Sequence, residues 1–173
     1  MVGLYTSGNM TDNQEQGIDG ATISVISSAL PPALALRPNI VLLHAGTNDM
    51  NLNLNVSSAP ARLNSLIDRI LTGCPDASVL VAKIIHSPNA TTNARIWPYD
   101  NAVGEMVANR TRAGEHVLLV DMQNALPANQ YNDTLHPNDE GYKTMAGLWY
   151  RGIEMVTEAG WIGRPVNVDD GTN

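Results

Sequence analysis

Two short motifs hold the residue types that acyl transfer requires. In Asp133-Thr134-Leu135-His136-Pro137-Asn138 a carboxylate and an imidazole stand three positions apart. In a loop, that spacing lets the carboxylate accept a hydrogen bond from Nδ1 of the imidazole, which fixes the tautomer and leaves Nε2 free as a general base. Gly46-Thr47-Asn48-Asp49 follows the apolar run Ile40-Val41-Leu42-Leu43 and supplies the Asn48 amide, a donor suited to negative charge developing on oxygen. Taken singly, each motif is also ordinary local structure: Pro137 opening a helix with Asp133 as a local cap, or a turn at Gly-Thr-Asn. Together they are far more specific. A nucleophile is what they lack. Ser7 precedes Gly8 in a Thr-Ser-Gly turn, and Ser24, Ser27 and Ser28 fall on a predicted helix, so none stands in a context that would activate it.

The elements that must position these groups follow from periodicity. Ile40 to Leu43, Val79 to Ile85 and Val117 to Val120 are continuous apolar runs, the pattern of parallel strands buried on both faces. Between them lie stretches with helical spacing: Leu63, Leu66, Ile67, Ile70 and Leu71, then Ile96, Val103, Met106, Val107 and Arg110. A last helix after Asn138 carries Tyr142, Met145, Ala146, Trp149, Ile153 and Val156 on one face, with Asp139 and Glu140 in its first turn complementing the helix dipole. Strand and helix alternate, which argues for an α/β fold, a three-layer α/β/α sandwich around a parallel sheet. In such folds the site lies at the carboxyl ends of the strands, where Gly46-Thr47-Asn48-Asp49 falls. The segment Ala21 to Leu36 begins as a helix with Ile23, Ile26 and Leu30 on one face, and Pro31-Pro32 must break or kink it.

With both motifs in view, the chain resembles the SGNH hydrolases, the GDSL-like esterase and lipase superfamily, and among them the acetylxylan-esterase-like members. Gly17-Ile18-Asp19-Gly20-Ala21-Thr22-Ile23 is similar to the family's second sequence block, Gly46-Thr47-Asn48-Asp49 to its third, and Asp133 through Tyr142 to its fifth. The resemblance implies a flavodoxin-like sandwich and a serine-type carboxylic ester hydrolase acting on acetylated polysaccharide or short-acyl esters. It assigns His136 as base, Asp133 as its partner, and the Gly20 backbone N–H and the Asn48 side chain as the oxyanion hole. Glycine suits that backbone role because a missing Cβ permits close approach and unusual dihedrals. Asp49 would orient Asn48 or its loop.

Two departures matter. The family's nucleophile belongs to a Gly-Asp-Ser block on the first strand, and no such block occurs in this sequence. The expectation is therefore a chain that lacks the first strand and helix, is truncated at the N-terminus, and is inactive as it stands; the alternative is a non-catalytic glycan-binding domain that keeps the pocket. The family's first strand is interior, so either the segment Val2 to Tyr5 re-pairs with Ile40 to Leu43 or the isolated chain is poorly stable. Ile18 replaces a polar or aromatic residue found in many relatives.

Composition narrows the rest. The 173 residues suit one domain, 1–173, with 160–173 as an irregular Gly-, Pro-, Asn- and Asp-rich tail packing through Trp161 and Ile162. A net charge of −7 with only 10 Lys and Arg argues against a nucleic-acid partner, and no apolar run is long enough to cross a bilayer, so the expected partner is a small-molecule or polysaccharide ester. No Gly-rich phosphate loop follows a strand, which sets aside a nucleotide-binding fold, and no cofactor is expected. His44 and His116 have no companion ligand at metal spacing, so no metal is expected and both read as structural. Trp97 and Tyr99 read as core or rim, with a sugar-facing wall as the alternative. Cys74 is alone, reads as a packing residue and says nothing of redox compartment. The residues after Met1 do not form a signal peptide, and a secreted complete parent is implied only by the resemblance.

Overall fold

The three apolar runs form one parallel sheet. The computed structural model describes residues 1–166. In chain order the elements are β1 (Tyr5–Thr6), β2 (Gln14–Glu15), α1 (Ile23–Ala35), β3 (Ile40–Leu43), α2 (Thr47–Asn51), α3 (Ala59–Gly73), β4 (Ser78–Lys83), α4 (Ala90–Arg112), β5 (Val117–Asp121) and α5 (Asp139–Glu158), with 3-10 turns at Val56–Ser58 and Ala128–Gln130. Strands β3, β4 and β5 pair in that order, with Val41 opposite Val79 and Leu80 opposite Leu118.

Side chains on β4 alternate between two cores. Val79 and Val81 face α1, α3 and α4, packing with Ile23, Leu63, Leu66, Ile67, Ile96 and Val103. Leu80 and Ala82 face α5, packing with Val120, Ile153 and Val156. That is the three-layer sandwich the periodicity calls for. Close approach of α5 requires Gly152, because a Cβ there would sit 2.9 Å from Leu80 Cδ2 and 3.0 Å from Val120 Cγ2. Caps fix the helix starts: the Thr22 hydroxyl accepts from Val25 N–H, Asn89 Oδ1 from Thr91 and Thr92 N–H, and Asn138 Oδ1 from Gly141 N–H.

Three expectations need correction or extension. Of the break or kink expected at Pro31-Pro32, the break does not occur: the helix begun at Ile23 continues through both prolines to Ala35. Proline at 31 leaves the Ser27 carbonyl without its helical donor, and Arg69 Nη1 supplies one from α3 at 2.6 Å. The segment near Val2 to Tyr5 does not re-pair with Ile40–Leu43; Tyr5–Thr6 instead makes a two-residue antiparallel ribbon with Gln14–Glu15. Among the described residues, strand β3 thus pairs along one edge only, with β4. The tail packs through Trp161, stacked on His116 with ring centroids 5.0 Å apart, and also through the Gly163 carbonyl, which accepts from Asn39 Nδ2. Residues 167–173 of that tail lie outside the described residues.

Candidate active site

The loop before α5 presents the imidazole and carboxylate as one unit. Asn132 N–H donates to His136 O at 2.8 Å and Asn138 N–H to Gln130 O at 2.9 Å, closing a short antiparallel bridge between Tyr131 and Pro137. Inside that bridge Asp133 Oδ1 accepts the Leu135 and His136 backbone N–H groups, each at 2.7 Å, and Oδ2 lies 2.9 Å from His136 Nδ1. The His136 backbone donor, its ring and the Leu135 donor together hold the Asp133 carboxyl down at about 2, so it is ionised across any working pH. An anionic partner at Nδ1 makes that nitrogen the proton-bearing one and turns the Nε2 lone pair outward.

His136 lines a cleft of about 670 Å³, together with Gly20 and Asn48. The segment before α1 brings Gly20, with φ +67° and open space where a Cβ would project. The carboxyl end of β3 brings Asn48. The turn into α2 is made at Gly46, whose φ of +117° and approach to the Tyr99 ring, 2.6 Å from a would-be Cβ, exclude other residues without rearrangement. Asn48 Nδ2 donates to Ala21 O at 3.0 Å, tying the two oxyanion candidates together, and its second N–H meets no acceptor among the described residues. Asp133 stands behind His136 and does not line the cleft.

A buried ion pair joins the same two segments, and sequence reasoning missed half of it. Asp49, fully buried, accepts Ile23 N–H at 2.9 Å on Oδ2 and receives Arg62 Nη1 at 2.6 Å on Oδ1. Arg62 also donates to the Leu54 and Asn55 carbonyls. Asp49 therefore fixes the start of α1 against α2, and with it the spacing of Gly20 and Asn48. The only signal for Arg62 was a cation beside the apolar stripe of α3, which is ordinary on a helix surface.

Other candidates resolve simply. Tyr99 is core, its hydroxyl donating to Ala45 O at 2.7 Å, and Trp97 is exposed on α4; neither lines the cleft. Ile18 does line it. His44 also faces it, and burial lowers its imidazole to about 4, so it is neutral at pH 7. Among the described residues no serine lines the cleft, whose hydroxyl-bearing residues are Thr47 and Tyr142. Ser87, beside the catalytic-type loop, is buried with its hydroxyl donating to Thr134 O at 2.6 Å and accepting from Asn89 N–H. Ser24, Ser27 and Ser28 are bound to Arg62, Arg69 and the α1 backbone respectively.

The GDSL-like Lipase/Acylhydrolase family matches residues 4–144. A solved family 3 carbohydrate esterase of Clostridium thermocellum is 30% identical, superposes with a TM-score of 0.78, and is matched over 94% of this chain and 80% of its own. A multidomain esterase of Ruminococcus flavefaciens is 29% identical over 128 residues, 70% of this chain and 16% of that protein. A curated relative from Acetivibrio thermocellus is 29% identical over 118 residues, 66% of this chain, so the chain spans half the length of that protein. On the extent of the family match and the fold it shares with the carbohydrate esterase, the chain belongs to the GDSL-like lipase/acylhydrolase family.

Proposed function

We propose that the cleft is the acyl-ester site of a carbohydrate esterase, with short acyl groups on plant polysaccharide as the substrate class. The observation that carries this reading is the Asp133–His136 unit, 2.9 Å between Oδ2 and Nδ1, facing a cleft that also holds Gly20 and Asn48. In the reaction His136 Nε2 takes the proton of a serine hydroxyl as its oxygen adds to the ester carbonyl. The oxyanion so formed is held by Gly20 N–H and Asn48 Nδ2, each such donor contributing roughly 3 kcal/mol. Collapse expels the alcohol, which leaves with the proton from His136, and water repeats the sequence on the acyl-enzyme. Among the described residues none of the chain's own serines lines the cleft. Support for the carbohydrate class comes from the esterases it is similar to.

A second reading is a non-catalytic domain that recognises acylated glycans. It is favoured by the combination of a retained dyad and donor pair with a cleft free of serine among the described residues. Both readings require selective recognition of the acyl group. Calorimetric titration with acetylated and chemically deacetylated xylo-oligosaccharides is expected to give saturable heat with the acetylated form only. Equal heats, or none at millimolar oligosaccharide, would remove both. The codons preceding Met1 then separate them: an in-frame Gly-Asp-Ser block makes the chain part of an active esterase, and a true start at Met1 makes it a binding domain.

A further inference from the structure

Away from the cleft lining, one chemical pattern recurs along the chain: asparagine, any residue but proline, then serine or threonine. It occurs at Asn9-Met10-Thr11, Asn55-Val56-Ser57, Asn89-Ala90-Thr91, Asn109-Arg110-Thr111 and Asn132-Asp133-Thr134. With 18 asparagines and 21 serines and threonines among 173 residues, random order would give about two such triplets, so five is an excess. The structure adds a second observation: every one of these asparagines, and every serine or threonine that closes a triplet, is exposed. Such triplets are the acceptors of N-linked oligosaccharide, a bulky modification that needs a surface position.

Local geometry separates the five. A glycan bonded to Nδ2 leaves Oδ1 of the same amide in place as an acceptor, so the fold tolerates it where the nitrogen is not already in use. At Asn132 the nitrogen is in use, directed at Pro137 O at 3.5 Å within the bridge that holds Asp133 and His136. At Asn109 the triplet is wound into α4: Oδ1 accepts from Arg112 Nη2 at 2.6 Å, and Thr111 Oγ1 is committed to the Val107 and Val117 carbonyls. The other three are free of such commitments among the described residues. Asn9 lies in the turn between β1 and β2. Asn55 opens the 3-10 turn Val56–Ser58 at φ 45°, a left-handed conformation that asparagine tolerates, and only its backbone carbonyl is bonded, by Arg62 Nη2 and by Ser58. Asn89 caps α4 through Oδ1, which accepts from Thr91 and Thr92 N–H, while its Nδ2 is left to solvent.

The structure assigns Asn9, Asn55 and Asn89 as acceptors of N-linked oligosaccharide, in a chain that passes through a glycosylating secretory compartment. In the transfer, Nδ2 forms a bond to C1 of the reducing-end N-acetylglucosamine. The bond from C1 to the oxygen of a lipid-linked pyrophosphate donor breaks, the pyrophosphate leaves with the electron pair, and the amide gives up one proton. The cap on α4 survives this step, because Oδ1 of Asn89 remains a carbonyl oxygen. Beside Asn55 in sequence, Leu52 and Leu54 are exposed apolar residues, and a large polar chain at that position offsets their cost in solubility. None of the three asparagines lines the cleft, so the modification leaves Gly20, Asn48 and His136 accessible, and the inference does not rest on the esterase reading.

The test expresses the full chain behind a cleavable secretory leader in a eukaryotic host and treats it with peptide N-glycosidase in oxygen-18 water. The enzyme releases each glycan and leaves a labelled aspartate where it stood, which peptide mass spectrometry locates. Label is expected at positions 9, 55 and 89. Thr11→Ala, Ser57→Ala and Thr91→Ala are each expected to abolish the label in their own triplet and leave the other two. These hydroxyls make no hydrogen bond among the described residues, and Thr91→Ala keeps the Asn89 cap on α4, so loss of label reads the acceptor and not the fold. Occupancy is read on the secreted and cell-retained protein together, so that retention of the chain does not hide the result. No label at positions 9, 55 and 89, label confined to positions 109 and 132, or label that persists in the alanine variants would overturn the assignment.

Discussion

The purified chain is expected to hydrolyse p-nitrophenyl acetate no faster than buffer, and His136→Ala is expected to leave that rate unchanged. A base activates a nucleophile only when a hydroxyl or thiol lies within hydrogen-bond reach, about 2.6 to 3.2 Å. His136 Nε2 has no such partner among the described residues, and the serines nearest in sequence or space to the motifs are engaged elsewhere: Ser87 by Thr134 and Asn89, Ser24 by Arg62. Thr47 lines the cleft, but its hydroxyl is buried and unpaired rather than hydrogen-bonded to a base. Cys74 is buried with its thiol on Leu34 O, away from the cleft. In a comparable triad, loss of the nucleophile costs on the order of a millionfold in turnover. Oxyanion donors and a base without a nucleophile leave little above background. Hydrolysis that His136→Ala removes would mean that the cleft contains a nucleophile this account has overlooked.

Arg62→Ala is expected to destabilise the chain by about 3–5 kcal/mol, because it leaves the fully buried Asp49 carboxylate without its counter-charge. One hydrogen bond, from Ile23 N–H, would remain on a group that no longer has a cation at 2.6 Å. The Leu54 and Asn55 carbonyls would lose a donor in the same step. Against a total stability on the order of 5–15 kcal/mol for a domain, this is a large share. Asp49→Asn should blunt the effect, since the neutral side chain keeps its acceptor for Ile23 and no longer needs a charge partner. Urea denaturation of the two single variants and the double variant checks the coupling. A cost below about 1 kcal/mol for Arg62→Ala would place the pair with ordinary surface ion pairs.

The legible parts of the fold are those written as periodicity. Ile40 to Leu43, Val79 to Ile85 and Val117 to Val120 announce themselves as continuous apolar runs, the mark of a strand buried on both faces, which β4 is, whereas β3 leaves Leu42 exposed. The stripe Leu63, Leu66, Ile67 and Ile70 does the same for α3. Asp133 and His136 were legible because three positions of loop suffice to close their contact locally. Long-range partners were not. Arg62 reaches Asp49 across 13 positions and Arg69 reaches Ser27 across 42, and nothing local encodes either meeting. Because the second was hidden, Pro31-Pro32 read as a break or kink in a helix that in fact continues to Ala35. The re-pairing of the N-terminal segment with β3 failed for another reason. Tyr5–Thr6 finds its partner in Gln14–Glu15, close in sequence, and a local ribbon closes a shorter loop than pairing with a strand some 35 positions away would.

The central claim is that Gly20, Asn48 and His136 converge on one acyl-transfer site. Nuclear magnetic resonance titration of the chain with methylphosphonate, a tetrahedral oxyanion, tests that convergence without a nucleophile. The account predicts that the Gly20 backbone amide, the Asn48 side-chain amide and the His136 ring resonances shift together along one saturation curve. Shifts confined to other residues, or Gly20 and Asn48 unmoved while His136 responds alone, would contradict it.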